Sequence, residues 1–156
     1  MDITSISNST ENTLLIGRIL GELLAPGALI TLSGPLGAGK TVIAKGIALG
    51  LQIETPIVSP TYTIAAEYAG RMPLTHIDLY RTDSDEELEL LGFDELAVRD
   101  GVTLIEWGEK AESFLTDDTI RITIGICEDD RRSVVIANIP EEIYEGILER
   151  MKGAGL

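Results

Sequence analysis

Gly34-Pro35-Leu36-Gly37-Ala38-Gly39-Lys40-Thr41 brings glycines, a lysine and a hydroxyl into one short stretch. The spacing is G-x-x-x-x-G-K-[ST], that of a backbone loop that wraps phosphate oxygens. Gly34, Gly37 and Gly39 permit backbone angles that a side chain would obstruct, so successive N–H groups can turn inward. Lys40 would add a point charge at the β- and γ-phosphates, and the Thr41 hydroxyl would hold Mg²⁺. The amide of Val42, at the start of the following helix, would extend the anion site. A glycine-rich turn could match this pattern by chance, but the flanks argue against that. Ala28 to Leu32 reads as a buried strand, and Ile43, Ile47 and Leu51 recur four apart as on one side of a helix.

A triphosphatase needs a second acid to hold Mg²⁺ or its waters, commonly at the end of an apolar strand beside the loop's strand. Leu104-Ile105-Glu106 fits, although aspartate is more usual there, and Glu106 can also be read as an ordinary acid at a strand end. In His76-Ile77-Asp78-Leu79-Tyr80-Arg81, an extended chain puts His76, Asp78 and Tyr80 on one side. That side is either a site or a wet face. As a site, Asp78 is a second carboxylate near the metal or the attacking water, Arg81 meets developing phosphate charge, and His76 orients Asp78. Ser59-Pro60-Thr61-Tyr62 is either a plain turn or a segment whose hydroxyls, Thr61 among them, reach Mg²⁺ or a phosphate.

These residues need elements to carry them. Asp2 to Ile6 reads as a first strand, and Asn8 or Ser7 as the cap of a helix, with Asn8 to Glu11 spaced as a capping box. The helix shows Leu15, Ile16, Ile19, Leu20 and Leu23 as its apolar stripe, and Pro26-Gly27 ends it. Thr61 to Tyr68 and Leu74 to Tyr80, turned at Gly70, are expected to pair antiparallel. Ser84 to Glu87 opens an acidic helix with Leu88 and Leu91 inward, interrupted near Gly92, and a short helical turn is expected over Asp94 to Val98. Val102 to Glu106 is a strand, Lys110 to Phe114 a short helix. Ile120, Ile122, Ile124 and Ile126 alternate inward along the next strand, with Cys127 a buried packing residue. Glu128 to Arg132 is a charged turn and Ser133 to Ile139 returns. Pro140 suits the first position of a last helix with Ile143, Ile147 and Met151 inward. The expected fold is α/β, a three-layer sandwich of the P-loop triphosphatase type with a mixed parallel and antiparallel sheet, in a single domain over residues 1–156.

The chain has 156 residues, a net charge of −14 and a single cysteine. An acidic chain is disfavoured from gripping DNA or RNA unaided, because such binding relies on Lys and Arg neutralising phosphates. A nucleotide can still bind where Lys40, loop amides and Mg²⁺ concentrate positive potential. No apolar run suits a membrane span, no signal peptide is evident, and a lone cysteine accords with a reducing compartment. A cytoplasmic address is expected.

Four segments together carry a resemblance. Gly34 to Thr41, Ser59-Pro60-Thr61-Tyr62, His76-x-Asp78-x-Tyr80-Arg81 and Leu104-Ile105-Glu106-Trp107 resemble, in order and spacing, the TsaE (formerly YjeE) family. These small bacterial ATPases serve the threonylcarbamoyladenosine modification of tRNA. The resemblance covers nearly the whole chain. It implies Mg²⁺-dependent ATP hydrolysis in complex with the tRNA threonylcarbamoyl transferase (TsaD-like) and its inactive paralogue (TsaB-like), with tRNA met only indirectly. It further implies phosphate and Mg²⁺ contacts from Lys40 and Thr41, metal ligation by Glu106, roles in activity for Asp78 and Trp107, and a nucleotide contact from Thr10. The chain departs from the family at Pro35, where an acid is common, and at Thr116, where a proline is common.

The chain contains no Asn-Lys-x-Asp segment for reading guanine, so ATP is expected over GTP. A water-orienting glutamine is also not evident, so hydrolysis is expected to be slow alone and faster in the complex. Two other readings stay open. A small-molecule kinase would need an acceptor and, as a rule, an arginine-rich lid, whereas the only adjacent arginines are Arg131-Arg132 in a turn. A nucleotide-gated binding module would hardly hydrolyse at all.

Overall fold

The computed structural model describes residues 1–58, 65–90, 92 and 100–156. Its strands are β1 (Ile3–Ser7), β2 (Leu29–Ser33), β3 (Ala65–Tyr68), β4 (Leu74–Asp78), β5 (Val102–Glu106), β6 (Ile120–Ile126) and β7 (Arg132–Ala137). They form one sheet in the order β1-β7-β6-β2-β5-β4-β3. β2 lies parallel to both β5 and β6, and β4 lies parallel to β5. The edges are antiparallel: β3 on β4, and β7 between β6 and β1.

The helices are α1 (Thr10–Leu23), α2 (Lys40–Gly50), α3 (Asp85–Leu90) and α4 (Glu141–Gly153), with a 3-10 helix at Gly108–Phe114. Strand alternation sends Ile30, Leu32, Leu74 and Leu104 to one face, against a large cluster built with α1, α2 and α4. Ile77 and Ile105 face the other way, into a smaller cluster with Leu88 and Ala111. The sheet is therefore covered on both faces, the expected three layers.

α1 and α2 pack with their backbones in contact. A Cβ added to Gly46 would sit 2.2 Å from the Leu14 carbonyl oxygen, and one added to Gly17 would sit 2.5 Å from that of Ile43. Gly21 and Gly50 repeat the contact one turn on. Arg71, in the β3–β4 turn, closes the far end by donating to the carbonyls of Gly21 and Leu24, 2.6 and 2.9 Å away. A cation there satisfies last-turn carbonyls and suits the negative end of the helix dipole.

Several boundaries differ from expectation. The cap of α1 is Ser9, not Ser7 or Asn8: the Asn12 amide donates to Ser9 Oγ at 3.1 Å. Ser7 is drawn inward instead, its hydroxyl 2.6 Å from that of Thr13. β4 stops at Asp78 because the Tyr80 amide turns back to donate to Asp78 Oδ1 at 2.9 Å. Tyr80 thus lies outside the strand and is half exposed. Ile126 is also half exposed and Cys127 only partly buried. Both sit at the turn end of the β6–β7 hairpin, where Asp130 adopts φ 63° and its amide donates to the Cys127 carbonyl. The short helix near Lys110 is a 3-10 helix beginning at Gly108, and Pro140 caps α4 from just outside. The expectations for Ser59 to Tyr62, including Thr61, for Leu91 and for Asp94 to Val98 lie outside the described residues.

Candidate functional site

The chain leaves β2 at Ser33 and bends at once. Gly34 has φ +151°, and a Cβ there would meet the Ile124 carbonyl oxygen at 2.4 Å, so the close approach of the neighbouring strand requires glycine. Gly39 caps α2 in the left-handed region, φ 113°. Residues 34–41 therefore link the end of a central strand to the first turn of a helix, the place where free amides and the helix dipole favour an anion.

Lys40, the first residue of α2, is 7% exposed. Its Nζ donates to the carbonyls of Gly34 and Pro35, the latter at 3.0 Å, and lies 4.1 Å from the centre of the Trp107 ring. Burial pulls the ammonium below the ordinary lysine value, against the opposing pull of Glu106, Glu109 and Asp78. Trp107 is held for this contact by an unusual backbone. It adopts φ 61°, ψ 43° while its amide donates to the Leu32 carbonyl at 2.9 Å. A bulky residue in that region is strained, and the β2–β5 pairing holds it there. The Tyr80 ring stands 5.3 Å from the indole, tilted against it.

Glu106 ends β5 on the face that looks toward α2 and is 3% exposed. Its Oε1 is 3.4 Å from the Thr41 hydroxyl, across a sequence separation of 65 residues. Its Oε2 is 3.0 Å from His76 Nε2. The expected His76–Asp78 pairing is thereby corrected: two residues on one side of a strand point the same way, so His76 faces Glu106 across the sheet. With Glu106 ionised, Nε2–H is the donor. Nδ1 is then a bare acceptor, buried and without a hydrogen-bond partner among the described residues. Asp78 stands beside Glu106 in the parallel register. Burial raises its carboxyl above the ordinary aspartate value, the Tyr80 amide opposes that, and the Glu106 charge adds to it.

The donor set bears on which cation could sit here. Thr41 and Glu106 offer hard oxygen atoms only, and no three His, Cys, Asp or Glu side chains converge among the described residues. That poverty suits Mg²⁺, which takes one or two protein ligands and completes its octahedron with phosphate oxygens and water.

Thr10 and Val42 meet on another side of the loop. They line a cavity of about 250 Å³ with Asn8, Ser9, Thr13, Gly37, Ala38, Gly39, Asp130 and Arg132. A larger cavity of about 510 Å³ lies at the opposite end of β2, around Pro26, Thr116 and Pro140, and contains none of the loop residues. Pro35 and Leu36 are exposed on the crest of the loop. Arg132 was not legible as a neighbour of the loop, because nothing in a charged hairpin turn reveals which distant backbone it meets. Its Nε donates to the Ala38 carbonyl at 3.0 Å.

Residues 7–134 match the profile of the family described as "Threonylcarbamoyl adenosine biosynthesis protein TsaE". The chain is 41% identical over 132 residues to the tRNA threonylcarbamoyladenosine biosynthesis protein TsaE of Treponema pallidum, covering 85% of this chain and 98% of that one. It is 39% identical over 142 residues to the protein of the same name from Bacillus subtilis, covering 90% and 88%. The crystal structure of YdiB from Bacillus subtilis superposes with a TM-score of 0.80 at 33% identity, over 100% of this chain and 97% of that one.

Proposed function

The chain belongs to the TsaE family of threonylcarbamoyl adenosine biosynthesis proteins, and from that premise we propose that it is the Mg²⁺-dependent ATPase subunit of tRNA threonylcarbamoyladenosine formation. The observation that carries the reading is the meeting of Thr41 and Glu106 behind the glycine-rich loop. Only a fold that sets β5 beside β2 brings those two residues together.

In this reading the amides of Gly37 to Val42 surround the α- and β-phosphates, and Lys40 swings from the loop carbonyls to the β/γ-bridge. Mg²⁺, when bound, would supply charge neutralisation beside the phosphates. Thr41 and Glu106 would hold it, and His76 fixes the Glu106 carboxylate. Asp78, with its raised carboxyl, faces the same space and accepts a hydrogen bond from the attacking water. Trp107 gives Lys40 a second resting surface beside the phosphates, and Thr10 borders the nucleoside. Thr61 is assigned a phosphate or Mg²⁺ contact on the resemblance alone.

The partners in this reading are the threonylcarbamoyl transferase and its inactive paralogue, with tRNA contacted through them. A net charge of −14 suits a factor that docks on a tRNA-binding protein better than one that grips tRNA itself. A cytoplasmic location follows from that task, and no described helix is long and apolar enough to cross a membrane.

The test is calorimetric titration of the protein with ADP and ATP, with and without Mg²⁺, followed by tRNA modification reconstituted with both partners. Binding is expected to tighten with Mg²⁺, and Glu106→Gln is expected to weaken that dependence while leaving the fold intact. Modification is expected to require this protein and ATP hydrolysis, with faster turnover in the complex. No nucleotide uptake, or equal modification without the protein, overturns the proposal.

A further inference from the structure

Arg132 is the first residue of β7, and the sequence gives it no task beyond a charged turn. In the register it stands opposite Ser7 on one side and Ile126 on the other. Its guanidinium bridges from its own hairpin to the phosphate loop. There Nε donates to the Ala38 carbonyl at 3.0 Å, and Nη2 reaches the Gly37 carbonyl at 3.5 Å. Nη1 donates to the backbone carbonyl and, at 3.1 Å, the carboxylate of Asp130. The planar fork is thus anchored on its own hairpin and spans to the loop.

A peptide bond is planar and trans, so its C=O and N–H point in opposite directions. Holding the Ala38 carbonyl outward therefore turns the Gly39 N–H inward, toward the phosphate cradle. Gly39 flanks that peptide at φ 113°, and lacking a side chain it leaves the peptide free to turn unless a contact holds it. We propose that Arg132 is a positioning residue that locks the Ala38–Gly39 peptide with its amide facing the nucleotide phosphates. The proposal rests on the reading of residues 34–41 as a phosphate loop, but its first half, the locked peptide, does not need nucleotide.

Arg131 provides a matched control. It carries the same charge one residue earlier, but its side chain turns to Asp129 and is half exposed. Wild type, Arg131→Ala, Arg132→Ala and Arg132→Lys would be compared in two measurements. The first is amide hydrogen exchange of residues 34–41 without nucleotide. The second is calorimetric titration with ADP and Mg²⁺. Arg132→Ala is expected to speed exchange in the loop and to weaken ADP about tenfold, the consequence of losing one charge-assisted hydrogen bond. Arg131→Ala is expected to change neither. Arg132→Lys should recover part of both, because an ammonium can meet one carbonyl but cannot also hold Asp130.

Equal loop exchange in Arg132→Ala and Arg131→Ala overturns the inference. So does weaker ADP binding with unchanged exchange, since that pattern belongs to a direct ligand contact, and so does faster exchange with unchanged affinity. If wild type itself takes up no nucleotide, the ATPase reading fails, and the exchange comparison alone decides whether Arg132 locks the peptide.

Discussion

His76 lies closer to Glu106 than Thr41 does, and replacing it tests whether the acid must be held still. Its Nε2 lies 3.0 Å from Oε2, and both side chains are almost completely buried. Water is thereby kept from taking over as donor. His76→Ala removes a hydrogen bond to a charged acceptor, worth about 1.5–3 kcal/mol, and leaves a cavity beside the carboxylate. Divided by the thermal energy, that is roughly a 10- to 150-fold loss, in the range seen when an outer partner of a metal ligand is removed. The assay is the Mg²⁺ concentration that half-saturates ADP binding, followed through Trp107, the only tryptophan. Its indole lies against Lys40, so phosphate binding that draws Lys40 away should alter its fluorescence. The expected result is a rise of about 10- to 100-fold in half-saturating Mg²⁺, with Mg²⁺-free ADP binding little changed. His76→Gln keeps a donor on a side chain of similar reach and should recover much of the loss. If His76→Ala melts as a folded protein and shows the wild-type Mg²⁺ midpoint, Glu106 does not depend on His76 and the reasoning fails.

Two further outcomes follow from packing and charge. Gly46→Ala puts a Cβ 2.2 Å from the Leu14 carbonyl oxygen and 2.9 Å from the Gly17 Cα, both backbone atoms that cannot rotate aside. The cost of overpacking, about 1–3 kcal/mol, should outweigh the better helix propensity of alanine and lower Tm by roughly 5 °C. Gly153→Ala, where a Cβ meets nothing within 4 Å, should leave Tm unchanged or raise it, and equal melting of the two variants would refute the close contact. Asp78 carries a raised carboxyl, so folding takes up protons there. The stability it lends is complete below the unfolded-state value and is lost as pH rises through the higher folded value. Asp78→Asn keeps an acceptor for the Tyr80 amide and removes the charge. The variant should therefore gain stability over wild type near pH 7 and lose that advantage near pH 3, as read by denaturant midpoints; a constant difference across pH would sink the assignment.

Much of this site was legible because its signals are local. The loop's glycines declare the backbone they need, and a strand of apolar residues ending in Glu106 declares where the acid must stand. Alternation also put His76 and Asp78 on one face. What alternation cannot supply is the neighbour across the sheet, and so the partner of His76 was assigned to its own strand instead of to β5. The half-exposed Tyr80 and Ile126 show a related limit. Period-two patterning tells which way a strand residue points, but not where a strand stops, and both ends are fixed by turns whose hydrogen bonds close over short distances.

The glycines of α1 and α2 are illegible for a different reason. Gly17, Gly21, Gly46 and Gly50 interrupt good helix formers at an apparent loss in propensity, and nothing local rewards them. Their reward is positional. With no side chains between them, the two backbones touch, and α1 is placed so that Thr13 lies 3.7 Å from where a Cβ on Gly39 would be. The cap at Ser9 and the residue Thr10 are thereby set beside the loop, completing one wall of the cavity there. Arg132 holds the opposite wall from the hairpin, and its strand is paired in register with Ser7, where the chain turns into α1. The loop is consequently gripped from two sides by elements joined to each other through β1 and β7. A change in either support should therefore reach the proposed phosphate site without touching residues 34–41.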